Sequence, residues 1–128
     1  MSKSKKASKT PASIVWFEIP ADDIARAKKF YGQLFAWQIN PLPVAAFPDY
    51  QHIDTGGAEA SPDGAVMQRM HPAQTITQYV LVSSVTKHIA KVEKLGGSIC
   101  KPKTAVPGMG YFAICQDTEN NTFALLGT

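Results

Sequence analysis

Laying Tyr79 on Trp16 aligns the second half of this chain with the first. The same shift brings Ala90 onto Ala27, so the 128 residues read as a duplication with a period of about 63, far longer than a solenoid repeat. Each half opens with a strand, "IVWFEIPA" and "TQYVLVSSV", followed by a helix. In "ADDIARAKKFYGQLFAW" the residues Ile24, Ala27, Tyr31 and Leu34 recur at helical spacing, Phe30 and Phe35 widen the stripe, and Asp22 is the expected N-cap. In "VTKHIAKVEKLGG" the stripe is Val85, Ile89, Val92 and Leu95, and Gly96–Gly97 stops the helix. Three more strands follow each helix: "WQIN", "YQHIDT" and "AVMQRM" in the first half, then "SICKPK", "GYFAICQD" and "NTFALLG" in the second. One helix cannot cover both faces of a four-stranded sheet, so each half leaves an apolar surface to be buried. The order predicts an α+β fold in which two βαβββ modules, residues 13–72 and 76–128, form a cupped mixed β-sheet within a single domain. Residues 1–12 are expected to be a disordered Lys/Ser-rich leader.

Charge narrows the function classes. The formal net charge is +3, but Lys3, Lys5, Lys6 and Lys9 all lie in the leader, leaving 9 basic residues against 10 acidic ones. A body so balanced lacks the basic patch that a nucleic-acid partner requires. No apolar run approaches the ~20 residues of a membrane-spanning helix, and no apolar segment follows the N-terminal lysines as a secretion signal would demand. A cytoplasmic protein is expected, with Cys100 and Cys115 as buried free thiols, since they have no CxxC spacing.

The first strand raises the functional question. Trp16, Glu18 and Pro20 share one face, while Val15, Phe17 and Ile19 share the other. An aromatic beside a carboxylate suits neither open solvent nor a sealed interior, so a partly enclosed cavity is the expected setting. There the pKa of Glu18 should rise, making it a general acid or base or the partner of a cationic ligand; a lysine or arginine at the rim holding it is the structural alternative. His52 shares a strand face with Tyr50 and Asp54, His71 reads as a linker residue, and His88 as a solvated helix residue. Arg69 is expected to face away from Gln68. No Gly-rich phosphate loop, GxSxG elbow or HExxH motif is present.

The stretch "FEIPADDIARAKKFYGQLFAWQI", together with "KVEKLGGSI" and the closing "QDTENNTFALL", resembles the vicinal oxygen chelate superfamily, which contains glyoxalase I, bleomycin resistance proteins and extradiol dioxygenases. The resemblance covers residues 14 to 127. It implies a divalent metal held by one side chain on each of the first, fourth, fifth and eighth strands, and a homodimer. The matching positions are Trp16, Gln68, Tyr79 and Ala124. None is a His or carboxylate of the kind such a site wants: Trp offers no lone pair, Ala offers nothing, Tyr is protonated at neutral pH and Gln is a weak single ligand. The expectation is therefore a cavity without the family metal or any other cofactor. Trp16 and Tyr79 would be its aromatic walls, with Glu18, His52, Gln68, Ser83 and Ala124 also lining it. The expected function is binding of a small, partly aromatic or apolar molecule. The alternatives are a glyoxalase-like lyase, isomerase or extradiol-type dioxygenase with an atypical metal site or a metal-free reaction run by Glu18, and an interaction module whose cavity is filled by its own side chains.

Overall fold

A computed structural model describes residues 11–44, 47–57 and 61–128. Residues 1–10 of the expected leader lie outside the described residues. The elements run β1 (Ile14–Ala21), α1 (Ile24–Phe35), β2 (Gln38–Pro41), β3 (Gln51–Asp54), β4 (Asp63–Gln68), β5 (Thr77–Val82), α2 (Val85–Lys94), β6 (Ser98–Val106), β7 (Gly110–Gln116) and β8 (Thr122–Gly127). The expected order, two βαβββ modules in an α+β fold, is the order observed. By their contacts the described residues fall into two compact units, one spanning Trp16–Ile76 and the other Thr77–Thr128 with residues 11–15.

In the first unit the strands lie in the order β2-β3-β4-β1, antiparallel except for the parallel pair of β1 and β4. Strand alternation turns Ile19 and Ala21 toward α1, where Ile39, Ile53 and Val66 join them, and Ile24, Ala27 and Tyr31 of the helix close over this cluster. The helix starts where a side chain can cap it. Asp23, rather than the expected Asp22, is the N-cap: its Oδ1 accepts from the Arg26 N–H at 3.0 Å. Asp22 instead accepts from Arg69 Nε at 2.9 Å. Arg69 also donates to the carbonyls of Gln74 and Pro20, so it ties the end of β1 to the turn after β4. Phe30, Leu34 and Phe35 do not join the core stripe. Phe30 is 59% exposed and the other two are also exposed, because Tyr31 and Trp37 take the core side and stack at 5.7 Å.

The helix ends at Ala36 in the left-handed region, with φ 60 and ψ 26. An L-residue with a Cβ is strained there and glycine is not. Ala36→Gly is expected to stabilise the protein by about 1 kcal/mol. A urea midpoint that stays put or falls would count against this.

In the second unit the order is β5-β8-β7-β6, again with one parallel pair, β5 with β8, in which Tyr79 sits opposite Ala124. Ser84 caps α2 by accepting from the Lys87 N–H at 3.2 Å, and Val85, Ile89 and Val92 pack onto Val82, Ala113, Cys115 and Leu125. His88 is half-buried rather than solvated, with Nδ1 2.8 Å from the Ser84 carbonyl oxygen. The two cysteines are free, but only one is buried: Cys115 is, whereas Cys100 is exposed where β6 slips register against β7. Burial, with a smaller contribution from Cys100, pushes the Cys115 thiol up to about 11. Iodoacetamide at pH 8 is therefore expected to label Cys100 in the native protein and Cys115 only after unfolding. Equal labelling rates at both cysteines would contradict the assignment. No helix among the described residues is long and apolar enough to cross a membrane.

Candidate functional site

The face of the first sheet turned away from α1 carries the chemistry. Register sets Trp16 against Asp63 and Glu18 against Ala65 across β1 and β4, and His52 against Ala65 across β3 and β4. Side chains at paired positions share a face, so Trp16, Glu18, His52 and Asp63 converge there, with Tyr50 entering from just before β3.

A chain of hydrogen bonds links three of them. The indole Nε1–H of Trp16 donates to the Tyr50 hydroxyl at 3.0 Å, and that hydroxyl donates to Glu18 Oε2 at 2.6 Å. Glu18 is 8% exposed and Tyr50 7%. Burial foremost, then the charge of Glu18 and the hydrogen bond to it, hold the Tyr50 phenol far above its ordinary value, while the Trp16 hydrogen bond pulls weakly the other way. The Tyr50 phenol is thus one partner of the Glu18 carboxylate. On the far side of Trp16 the imidazole of His52 stacks at 5.7 Å with the planes 7° apart. His52 Nε2 lies 3.2 Å from Asp63 Oδ2, and the Thr55 N–H fixes the other carboxylate oxygen at 3.1 Å.

The sequence hides Asp63, which sits in what reads as the turn "GGAEASPDG", and strand alternation offers Asp54 as the carboxylate of the His52 face. Asp54 is instead exposed and accepts from the Gly56 N–H at 2.8 Å. Tyr50 was legible through its alternation with His52.

Beside this network a pocket of about 550 Å³ opens, lined by Leu42, Pro43, Val44, Phe47, Pro48 and Tyr50 among others. Val44 and Phe47 pack with Trp16 on the Tyr50, Ala65 and Met67 cluster, so the pocket wall and the hydrogen-bonded chain share a foundation. The Phe47 and Tyr50 rings are 5.8 Å apart.

Two expected lining residues are placed elsewhere. Gln68 pairs with Ala21, which faces α1, and its side chain is exposed on that side of the sheet; Met67 is the β4 residue that shares the face of Trp16. Ser83 lies one residue beyond β5 and is exposed, its carbonyl accepting from the Thr128 hydroxyl at 2.7 Å. In the second unit Tyr79 is buried against Phe112, ring centroids 6.4 Å apart, and its register partner Ala124 is fully buried.

These positions do not fit a divalent ion. Trp16 presents an N–H that is already donated, Gln68 faces the other way, Ala124 presents a methyl group and Tyr79 packs on an aromatic ring. Among the described residues no group of three or more His, Cys, Asp or Glu is placed to hold a metal.

The bleomycin resistance protein-like N-terminal family model matches residues 13–55. A glyoxylase-like domain-containing protein from Didymella fabae is 30% identical over 112 residues, covering 84% of this chain and 88% of that protein. A Mycobacterium bovis protein with a provisional glyoxylase name is 24% identical over 116 residues, and the chain spans only 43% of its length. Two solved structures share the fold at 10% identity: a glyoxalase/bleomycin resistance protein/dioxygenase superfamily member from Vibrio splendidus, with a TM-score of 0.63 over 89% of this chain and 96% of that one, and a methylmalonyl-CoA epimerase, with 0.64 over 93% and 96%. On this sequence likeness, and with the fold in agreement, the chain belongs to the glyoxalase/bleomycin resistance/dioxygenase superfamily, the vicinal oxygen chelate proteins.

Proposed function

We propose that this protein binds a small, partly aromatic or apolar molecule, and does so without the metal typical of its superfamily. The observation that carries this reading is the double role of Tyr50. Its hydroxyl ties Glu18 to Trp16, turning the polar groups of the face toward one another, while the same residue lines a pocket beside Leu42, Val44 and Phe47. A concave, mostly apolar site with few polar groups is the usual form of a small-molecule site.

The test is a thermal-shift screen with aromatic and aliphatic fragments, run beside metal analysis of protein incubated with Ni, Zn, Mn and ferrous Fe and then desalted. A ligand present at ~100 times its dissociation constant adds about 2.7 kcal/mol of stability, enough for a clear rise in Tm. The shift should vanish in Phe47→Ala. One metal retained per chain would overturn the metal-free part of the proposal, and fragments that stabilise wild type and Phe47→Ala alike would overturn the site.

A second reading rests on Glu18. A buried carboxylate that already accepts a proton donor at 2.6 Å is equipped to take a proton from a bound substrate. On that reading the protein is a lyase or isomerase, and turnover of a candidate substrate would be lost in folded Glu18→Gln.

A further inference from the structure

We infer that His52 and Asp63 form a second proton-accepting site on this face, separate from the pocket and from Glu18, that takes a proton from an uncharged, weakly acidic small molecule. The two residues enter from the adjacent strands β3 and β4. Each is oriented by a contact of its own. The Thr55 N–H donates to Asp63 Oδ1 at 3.1 Å, which leaves Oδ2 for His52 Nε2, 3.2 Å away. Trp16 stacks on the imidazole with the planes 7° apart, and this sets the plane of the ring.

The geometry decides where the imidazole carries its hydrogen. A carboxylate only accepts, so in the neutral ring the hydrogen belongs on Nε2 and Nδ1 keeps a bare lone pair. Nδ1 has no hydrogen-bond partner among the described residues and is not buried; the His52 side chain is 35% exposed. Glu18, by contrast, is sealed in, and its Oε2 already receives the Tyr50 proton. An oriented carboxylate behind an imidazole whose other nitrogen is open is the pairing a general base uses: it fixes the tautomer and stabilises the imidazolium that forms. His52 is thus the catalytic residue of this site and Asp63 a positioning residue. The charge on Asp63 disfavours an anionic substrate, whereas an uncharged acid becomes an anion only as the imidazolium appears beside it.

The test uses 5-nitrobenzisoxazole, an uncharged carbon acid whose ring opening needs only a base. Nδ1 would take the ring C–H proton, the C–H electron pair would complete the nitrile, the N–O bond would break, and 2-cyano-4-nitrophenolate would leave with the negative charge. The full chain should convert the probe at least about a hundredfold faster than free imidazole at the same concentration and pH, the low end of general-base catalysis. His52→Gln should lose at least about tenfold of that rate. In Asp63→Asn the Thr55 N–H keeps the amide oxygen, so the NH2 group faces Nε2 and drives the hydrogen onto Nδ1. Its kcat should fall at least about tenfold with KM unchanged. Nitrogen NMR of the neutral imidazole should show the hydrogen on Nε2 in wild type and on Nδ1 in Asp63→Asn, a change that a merely structural ion pair would not require. A rate no better than free imidazole, turnover unaffected by His52→Gln, or one tautomer shared by wild type and Asp63→Asn would each overturn the inference, and none of these results bears on binding in the pocket.

Discussion

Gly64→Ala is expected to lower the stability of the protein by about 3 kcal/mol or more, the upper end of what overpacking costs. Gly64 is the register partner of Phe17 across the parallel pair of β1 and β4, on the side that faces α1. A Cβ built there would lie 2.4 Å from the Phe17 carbonyl oxygen and 2.6 Å from two atoms of its ring. The ring of Phe17 therefore occupies the space that a side chain at position 64 would claim, and from there it reaches Trp37 at a centroid distance of 6.2 Å. Shortening the neighbour should relieve only part of the conflict, because the carbonyl oxygen belongs to the strand backbone and moves only if the pairing does. Phe17→Leu in the Gly64→Ala background is thus expected to recover less than half of the loss. Urea denaturation of the single and double variants measures both quantities. A Gly64→Ala midpoint indistinguishable from wild type would mean that β1 and β4 are not paired in this register, which would move Trp16 and Glu18 with respect to Asp63 as well.

Much of this arrangement was open to reading from the chain itself, and the failures have physical causes. Alternation along β1 put Trp16 and Glu18 on one face because a strand repeats every two residues, whatever surrounds it. The same rule explains the misplacement of Gln68. A shift of one residue in assigning β4 turns every side chain to the opposite face, and the sequence offers no marker of which residue of "AVMQ" meets Ala21. Apolarity alone points Phe30 and Phe35 at the helix core, yet α1 needs only the narrow line of Ile24, Ala27 and Tyr31 to meet its sheet, since Trp37, arriving after the helix, fills the remaining space. The pocket was least legible of all. It is built from residues 41–44 and 47–51, where three prolines announce a loop and no period says which side chains converge. The partnership of His52 with Asp63 likewise joins positions eleven apart in the chain, and only the folded chain reveals it.

Tyr50 should make the protein sensitive to alkali, and Tyr50→Phe should remove that sensitivity while weakening the fold near neutrality. In the native state burial and the adjacent Glu18 hold the phenol far above its ordinary value; in the unfolded chain it titrates near ~10. Below pH ~10 both states keep the proton, and the stabilisation is fully present. Above it the unfolded state releases a proton that the native state still binds, so stability falls by up to about 1.4 kcal/mol for each pH unit. Deprotonation of the native phenol would set two anions 2.6 Å apart across the present hydrogen bond, so unfolding is the expected route of release. Tyr50→Phe deletes both the proton given to Glu18 and the acceptor of the Trp16 N–H, a loss expected to cost about 2–4 kcal/mol at pH 7. Its stability should then decline less steeply above pH 10 than that of wild type. Urea midpoints between pH 7 and 11, followed alongside phenolate absorbance, read both effects; since the chain has four tyrosines, the phenolate that appears together with unfolding in wild type and is missing in Tyr50→Phe identifies the residue. Parallel stability curves for the two proteins across that range would mean that Tyr50 does not hold its proton between Trp16 and Glu18, and the polar chain behind the pocket would have to be abandoned.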